Sequence, residues 1–201
     1  MSGTWPTSPN FNAVNFKVNT PTLRTQTISG KTLRVGMGHS FYTFTAKYNN
    51  LTRYQAGPIQ GFIAQQYGPL ESFQIYLPEL SYSKTTNQTT GPVQTSAAAS
   101  AGADHVSVSG VTSGKELLRA GDFFTFGNHT KVYQCAVTWT TGQPLYFSGS
   151  LVKDVPSGTG ITYGSYNSPI AWTVIMDGDV QQWDTGVGGI TNISVDFREV
   201  W

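Results

Sequence analysis

Tyr42-Thr43-Phe44-Thr45-Ala46-Lys47-Tyr48 alternates apolar and polar side chains without a break. Successive side chains of a strand point to opposite faces. Tyr42, Phe44, Ala46 and Tyr48 therefore share one face, and Thr43, Thr45 and Lys47 share the other. The stretch reads as a half-buried strand. The same rhythm returns near the end of the chain, in Trp172, Val174 and Met176 and again in Ile193, Val195 and Phe197. The final strand is expected to pair into the sheet that the first stretch begins. Residues 22–28 and 32–37 predict a hairpin closed by Ser29-Gly30-Lys31, and Phe73, Ile75 and Leu77 mark a strand that stops at Pro78.

One helix is expected, over residues 58–67. Pro58 suits a first helical position, where a missing N–H costs nothing. Ile59, Phe62, Ile63 and Gln66 recur at helical spacing, Gly68 suits a left-handed cap and Pro69 blocks continuation. So short a stripe must lie on a sheet, with Phe62 as its buried anchor.

The aromatic supply is large, with five Trp, ten Tyr and eleven Phe in 201 residues, and it excludes wholesale disorder. Charged residues are only 11%, against about 25% in ordinary soluble domains. A surface of Thr, Ser, Asn, Gln and Gly repels its own kind weakly, which suits a subunit packed among neighbours. Net charge is +1, and Arg24, Lys31 and Arg34 form the one loose basic cluster, so no nucleic-acid-binding face is expected. Cys135 stands alone, which removes internal disulfides and cysteine-based metal sites. The opening residues lack a basic and then apolar leader, and no stretch approaches bilayer length. Neither export by the general route nor membrane embedding is expected. Four Asn-x-Ser/Thr sequons, at Asn50, Asn87, Asn128 and Asn192, are what chance gives in an Asn/Thr-rich chain.

Composition divides the chain. Residues 1–20 are Pro/Asn-rich and read as an arm that orders only against a partner, with Trp5, Phe11 and Phe16 seeking an external surface. Residues 81–103 turn small and polar and lead into a second unit, residues 81–163, expected to be separable from the rest. Its strands are predicted at 105–108, 122–126, 131–138 and 145–151, with a positive-φ turn at Gly127-Asn128. Tyr133, Cys135, Val137 and Trp139 are expected on one buried face. The first unit then comprises residues 21–80 and 164–201. No internal repeat is evident.

Residue types that carry chemistry are sparse and scattered. His39, His105 and His129 each lack a partner at ligand-like spacing, so turn or strand-edge roles fit them best. Gly38-His39-Ser40 lacks the flanking glycines of a nucleophile elbow. Asp177-Gly178-Asp179 with Asp184 lacks the alternating ligands of a calcium loop. No catalytic, cofactor-binding or metal-binding residue is therefore assigned. Trp5, Trp139, Trp183 and Trp201 are the candidate sugar-stacking rings. Trp183 is the one whose glycine-rich surroundings, residues 177–189, do not explain it. It is assigned, with Trp5, Phe11 and Phe16, to subunit or partner contact.

The block at residues 118–133, with Ala120-Gly121-Asp122, the apolar run Phe123-Phe124-Thr125-Phe126, then Gly127 and Lys131-Val132-Tyr133, resembles a block of phage tail-tip proteins of the distal-tail type. A later segment, 145–151 followed by Val155-Pro156-Ser157-Gly158, resembles theirs as well. The order of hairpin, short helix, Pro-terminated strand, inserted β unit and closing strand also agrees over residues 21–201. The resemblance implies a mainly β fold, a tail-tube-like β-sandwich with one short helix, interrupted by a small β-barrel-like insertion. It implies a non-enzymatic virion protein, assembled in the host cytoplasm. Its copies would form a ring, six by expectation, joining the tail tube to the baseplate or tip and touching other baseplate or fibre proteins. A carbohydrate-binding module on the same particle, with Trp183 as platform, is the alternative.

Overall fold

The computed structural model describes residues 3–36, 38–83, 89–165 and 168–201. The fold is mainly β, 44% strand against 8% helix, with one α-helix and several sheets. In chain order come β1 (Ala13–Asn19), β2 (Thr22–Gln26), β3 (Thr32–Gly36), β4 (Phe41–Leu51), α1 (Arg53–Gln65) and β5 (Phe73–Ile75). Then follow β6 (Thr89–Thr95), β7 (His105–Val106), β8 (Val108–Val111), β9 (Glu116–Leu118), β10 (Phe123–Phe126) and β11 (Val132–Gln134). The last are β12 (Trp139–Thr140), β13 (Leu145–Tyr146), β14 (Ile161–Thr162), β15 (Trp172–Met176), β16 (Trp183–Thr185) and β17 (Thr191–Glu199).

The largest sheet runs β1-β4-β17-β15-β5, with β16 also pairing β17, and its named pairings are antiparallel. β17 does pair back onto β4. Register explains why the alternation was so clear. Phe44 faces Phe16 on one side and Phe197 on the other, and Ala46 faces Val14 and Val195 in the same way. Paired residues lie on one face, so each apolar rung continues across three strands and buries as a block. Tyr42, Phe44, Ala46 and Tyr48 are all buried, as are Ile193, Val195 and Phe197.

Residues 3–20, expected as part of an arm that orders only against a partner, pack on this chain instead. β1 is the edge strand of this sheet, and the segment before it is pinned from Gly3 onward. Trp5 donates its backbone N–H to the Gln74 carbonyl at 2.7 Å and its indole N–H to the Tyr48 hydroxyl at 2.8 Å. Its ring is 2% exposed and packs edge-on to Phe197 and Phe62. Phe11 rests on Tyr48, and Phe16 packs against Tyr42, Phe123 and Trp172. Local periodicity could not reveal this, because every partner is distant in sequence.

The helix begins five residues earlier than its proline suggested. Thr52 is the N-cap, and a capping box joins its side chain to Gln55 in both directions. Pro58 lies inside the helix and removes one backbone hydrogen bond there. Ala56, Ile59 and Ile63 are the buried face, whereas Phe62 is only half-buried, between Trp5 and Phe73. The chain leaves the helix through left-handed Tyr67 and Gly68, at φ 52° and 67°.

The chain departs from the first sheet at 81–83, and Gly164 and Ile170 on the returning side are bonded to that segment. Ser83 N–H donates to Gly164 O at 2.7 Å, and Ile170 N–H to Ser81 O at 2.9 Å. Gly164 has φ +69°, and a Cβ there would stand 2.5 Å from Ser81 O, so no other residue fits this crossing. Between them lies a second apolar cluster, built on Leu118, Phe124, Phe126, Tyr133, Trp139, Leu145 and Phe147. It is framed by short pieces of sheet: β11-β10-β14, β12-β9, β13-β7 and β6-β8.

Three expectations for this region need correction. β10 and β11 form the predicted hairpin, but neither Gly127 nor Asn128 has a positive φ. The five-residue loop turns without one. Val137 is exposed, because β11 ends at Gln134 and the chain bends before Trp139, which is buried. The strand predicted at 145–151 is the two-residue β13. The region also shares its interior: Phe123 and Val132 belong to the first core, while Phe124 and Tyr133 belong to the second.

Candidate functional site

The β2–β3 hairpin contributes no side chain to either apolar cluster. Gly30, at φ +82°, makes the turn, and Thr27 N–H closes it on Lys31 O at 3.0 Å. Met37, assigned to its second strand by sequence, lies outside the described residues. Pairing sets Leu23 opposite Val35 and Thr25 opposite Leu33, so these four side chains share one face. Every residue of both strands is exposed, with Leu23 at 57% and Val35 at 62%. Arg24 sits directly opposite Arg34 on the reverse face, and neither has an acidic partner among the described residues. A two-stranded ribbon with unburied apolar rungs and an opposed like-charge pair is marginal in water.

A second exposed hairpin joins β16 to β17. Thr185 and Thr191 hydroxyls meet at 3.2 Å, and Gly186 N–H donates to Ile190 O at 2.8 Å. Val187 at its tip is fully exposed, and Trp183 is 40% exposed. Of the four residues assigned to partner contact, Trp183 alone is exposed. Trp5 is consumed by the interior, and Phe11 and Phe16 are half-buried against it.

The polar residues resolve into structural roles. His39 Nδ1 lies 3.0 Å from Ser150 Oγ and ties the start of β4 to the second unit. His105 and Asp104 pair at the surface at 2.7 Å. His129 bridges Asn128 Oδ1 and the Tyr133 hydroxyl, at 2.6 and 2.9 Å. Burial, with Lys153 and Lys131 nearby, pushes the His129 pKa down to about 4. Cys135 is buried, and desolvation pushes its thiol up to about 11, which leaves it a poor nucleophile. Among the described residues no three His, Cys, Asp or Glu side chains gather as a metal-holding group, the Asp177, Asp179 and Asp184 set included. No helix among them is long and apolar enough to cross a membrane.

Among the described residues one charged pair is wholly buried. The Lys131 ammonium bonds to Glu199 Oε2, which also accepts the Tyr42 N–H at 3.2 Å, while Oε1 accepts the Val132 N–H at 2.9 Å. Lys131 lies 4.6 Å from the Tyr42 ring centroid and 4.7 Å from that of Trp201. Burial lowers the lysine pKa and raises that of the carboxyl, each opposed by the partner's charge. The pair links the loop before β11 to the last residue of β17. No sequence spacing announced it, because 68 positions separate the two residues.

Compared with known proteins, the chain matches no family model, and no curated protein is significantly similar to it.

Proposed function

We propose that this chain is a non-enzymatic structural subunit of a closed ring, six-membered by expectation, that joins a phage tail tube to its baseplate or tip. The observation that carries the reading is the β2–β3 hairpin. Its Leu23, Leu33 and Val35 face demands burial, and no other described residue covers it. A second copy can cover it. Head-to-tail repetition of such a contact closes into a ring when the rotation per subunit divides a full turn. The outer edge of β1, an end strand of the large sheet, offers further backbone pairing between copies, whereas that of β5 is already covered by Gly3 and Trp5. The low charge favours close packing of identical surfaces, and the element order resembles that of distal-tail proteins. The second unit then faces other baseplate or fibre proteins. No catalytic residue, cofactor, membrane or sequence-specific nucleic acid enters this reading.

Light scattering and negative-stain electron microscopy of the purified chain test it. Rings are expected, and Leu33→Ser with Val35→Ser should abolish them while leaving a folded monomer. A wild-type chain that stays monomeric at roughly 100 µM, weak even for a transient contact, would refute the proposal.

A further inference from the structure

The outer face of the large sheet is polar over most of its length, with Thr43, Thr45 and Lys47 on β4 beside Asn192, Ser194 and Asp196 on β17. One end departs from this pattern. There Phe41, Ile175 and Trp201 surround Arg198 in a cleft of about 600 Å3, and Asp177 and Asp179 also line it. The Arg198 guanidinium lies 4.4 Å from the Phe41 ring centroid and has no carboxylate within ion-pair distance among the described residues. Trp201 is 48% exposed, with the buried Lys131 ammonium against its ring.

We infer that this cleft is a saccharide-binding site. A pyranose presents an apolar C–H face and a rim of hydroxyls that both donate and accept. Trp201 and Phe41 supply flat apolar surface for the first. For the second, Arg198 supplies donors only and the two aspartates supply acceptors only, so hydroxyl pairs are met in both senses. The volume lies within the range of small-ligand sites. Charge selects among ligands: two aspartates beside one arginine disfavour phosphates and acidic sugars, so the class is a neutral sugar. A purely apolar occupant would strip water from Arg198 and return no hydrogen bond. The Lys131–Glu199 pair lies directly behind, and it fixes the backbone between Arg198 and Val200 before any ligand arrives.

Trp183 does not take this role. It pairs with Ile193, an inward-facing residue, whereas its neighbour Asp184 pairs with outward-facing Asn192. The sugar site and the ring contact are independent, so either can fail alone.

The test is titration of the full chain with maltohexaose, cellohexaose and N-acetylchitohexaose, followed by calorimetry and tryptophan fluorescence. At least one should bind saturably. Arg198→Gln and Asp179→Asn should each weaken binding roughly tenfold or more, and Trp183→Ala should leave it unchanged. Trp201→Phe should weaken it less than Trp201→Ala, and the pair of variants guards against loss of the Lys131 contact. Absence of saturation with all three sugars up to about 10 mM, weaker than typical specific sites, overturns the inference. So does binding that survives Arg198→Gln or that depends on Trp183. Light scattering on the same samples reports ring assembly separately, and Arg198→Gln should not alter it.

Discussion

β4 and the β2–β3 hairpin are written in the same alternating code, yet one is the centre of a core and the other stands bare. In β4 the apolar face meets Phe16 and Phe197 on neighbouring strands and Trp5, Phe123 and Trp172 from farther away. In the hairpin the corresponding face, Leu23, Leu33 and Val35, meets solvent. Alternation states which face needs covering and is silent about what covers it. For β4 the cover arrives from regions remote in sequence. For the hairpin the described residues supply no cover, which is why the ring proposal rests there.

The comparison can be broken most severely by removing a remote supplier. Excision of residues 88–160 takes Phe123 and Val132 out of the first core and Lys131 away from Glu199. The remainder should lose cooperative unfolding, measured by circular dichroism on heating, and Glu199→Leu should restore part of it. A sharp transition in the plain excision would show that β4 is buried well enough by its own sheet. Next in size is Glu199→Ala, which strands a buried ammonium and two backbone N–H groups. It should cost about 3–5 kcal/mol in urea unfolding. A loss under about 1 kcal/mol, the range of surface changes, would mean that water reaches the pair.

Phe62→Ala should cost less, about 2 kcal/mol, because the ring is only half-buried and full burial carries about 3–5. A larger loss would show that its contacts with Trp5 and Phe73 hold the N-terminal segment as well as the helix. Smallest is Leu33→Ser with Val35→Ser, expected within about 0.5 kcal/mol for the monomer, as for surface positions. Urea unfolding of dilute, disassembled protein checks it. A substantial loss there would mean that the hairpin folds back onto its own chain and that the two regions differ less than described.

The pairing of β17 with β4 was legible because buried rungs on both strands alternate in phase. The hairpin was legible because Gly30 marks its turn. The helix start was legible in principle, since Thr52 and Gln55 spell a capping box, but Pro58 drew attention away from it. The first twelve residues were not legible. Trp5 is buried by Tyr48, Phe73 and Phe197, and no local pattern encodes partners so far off. The second unit was read too regularly, because its strands are two to seven residues long and its burial depends on bends between them. The cleft beside Arg198 was invisible for a related reason. Its residues come from the start of β4, Pro69 after the helix, the end of β15 with the loop that follows it, and the last residues of the chain.

Phe123 and Phe124 are adjacent in β10 and belong to different cores, and Val132 and Tyr133 repeat the division in β11. The two strands act as a common wall. A load applied to the second unit acts on that wall. It reaches the large sheet as shear through two paired backbones, with Lys131 and Glu199 clamped at the boundary. A tug on one side of the wall would therefore be felt on the other as displacement of β17, the strand that carries both Glu199 and Arg198.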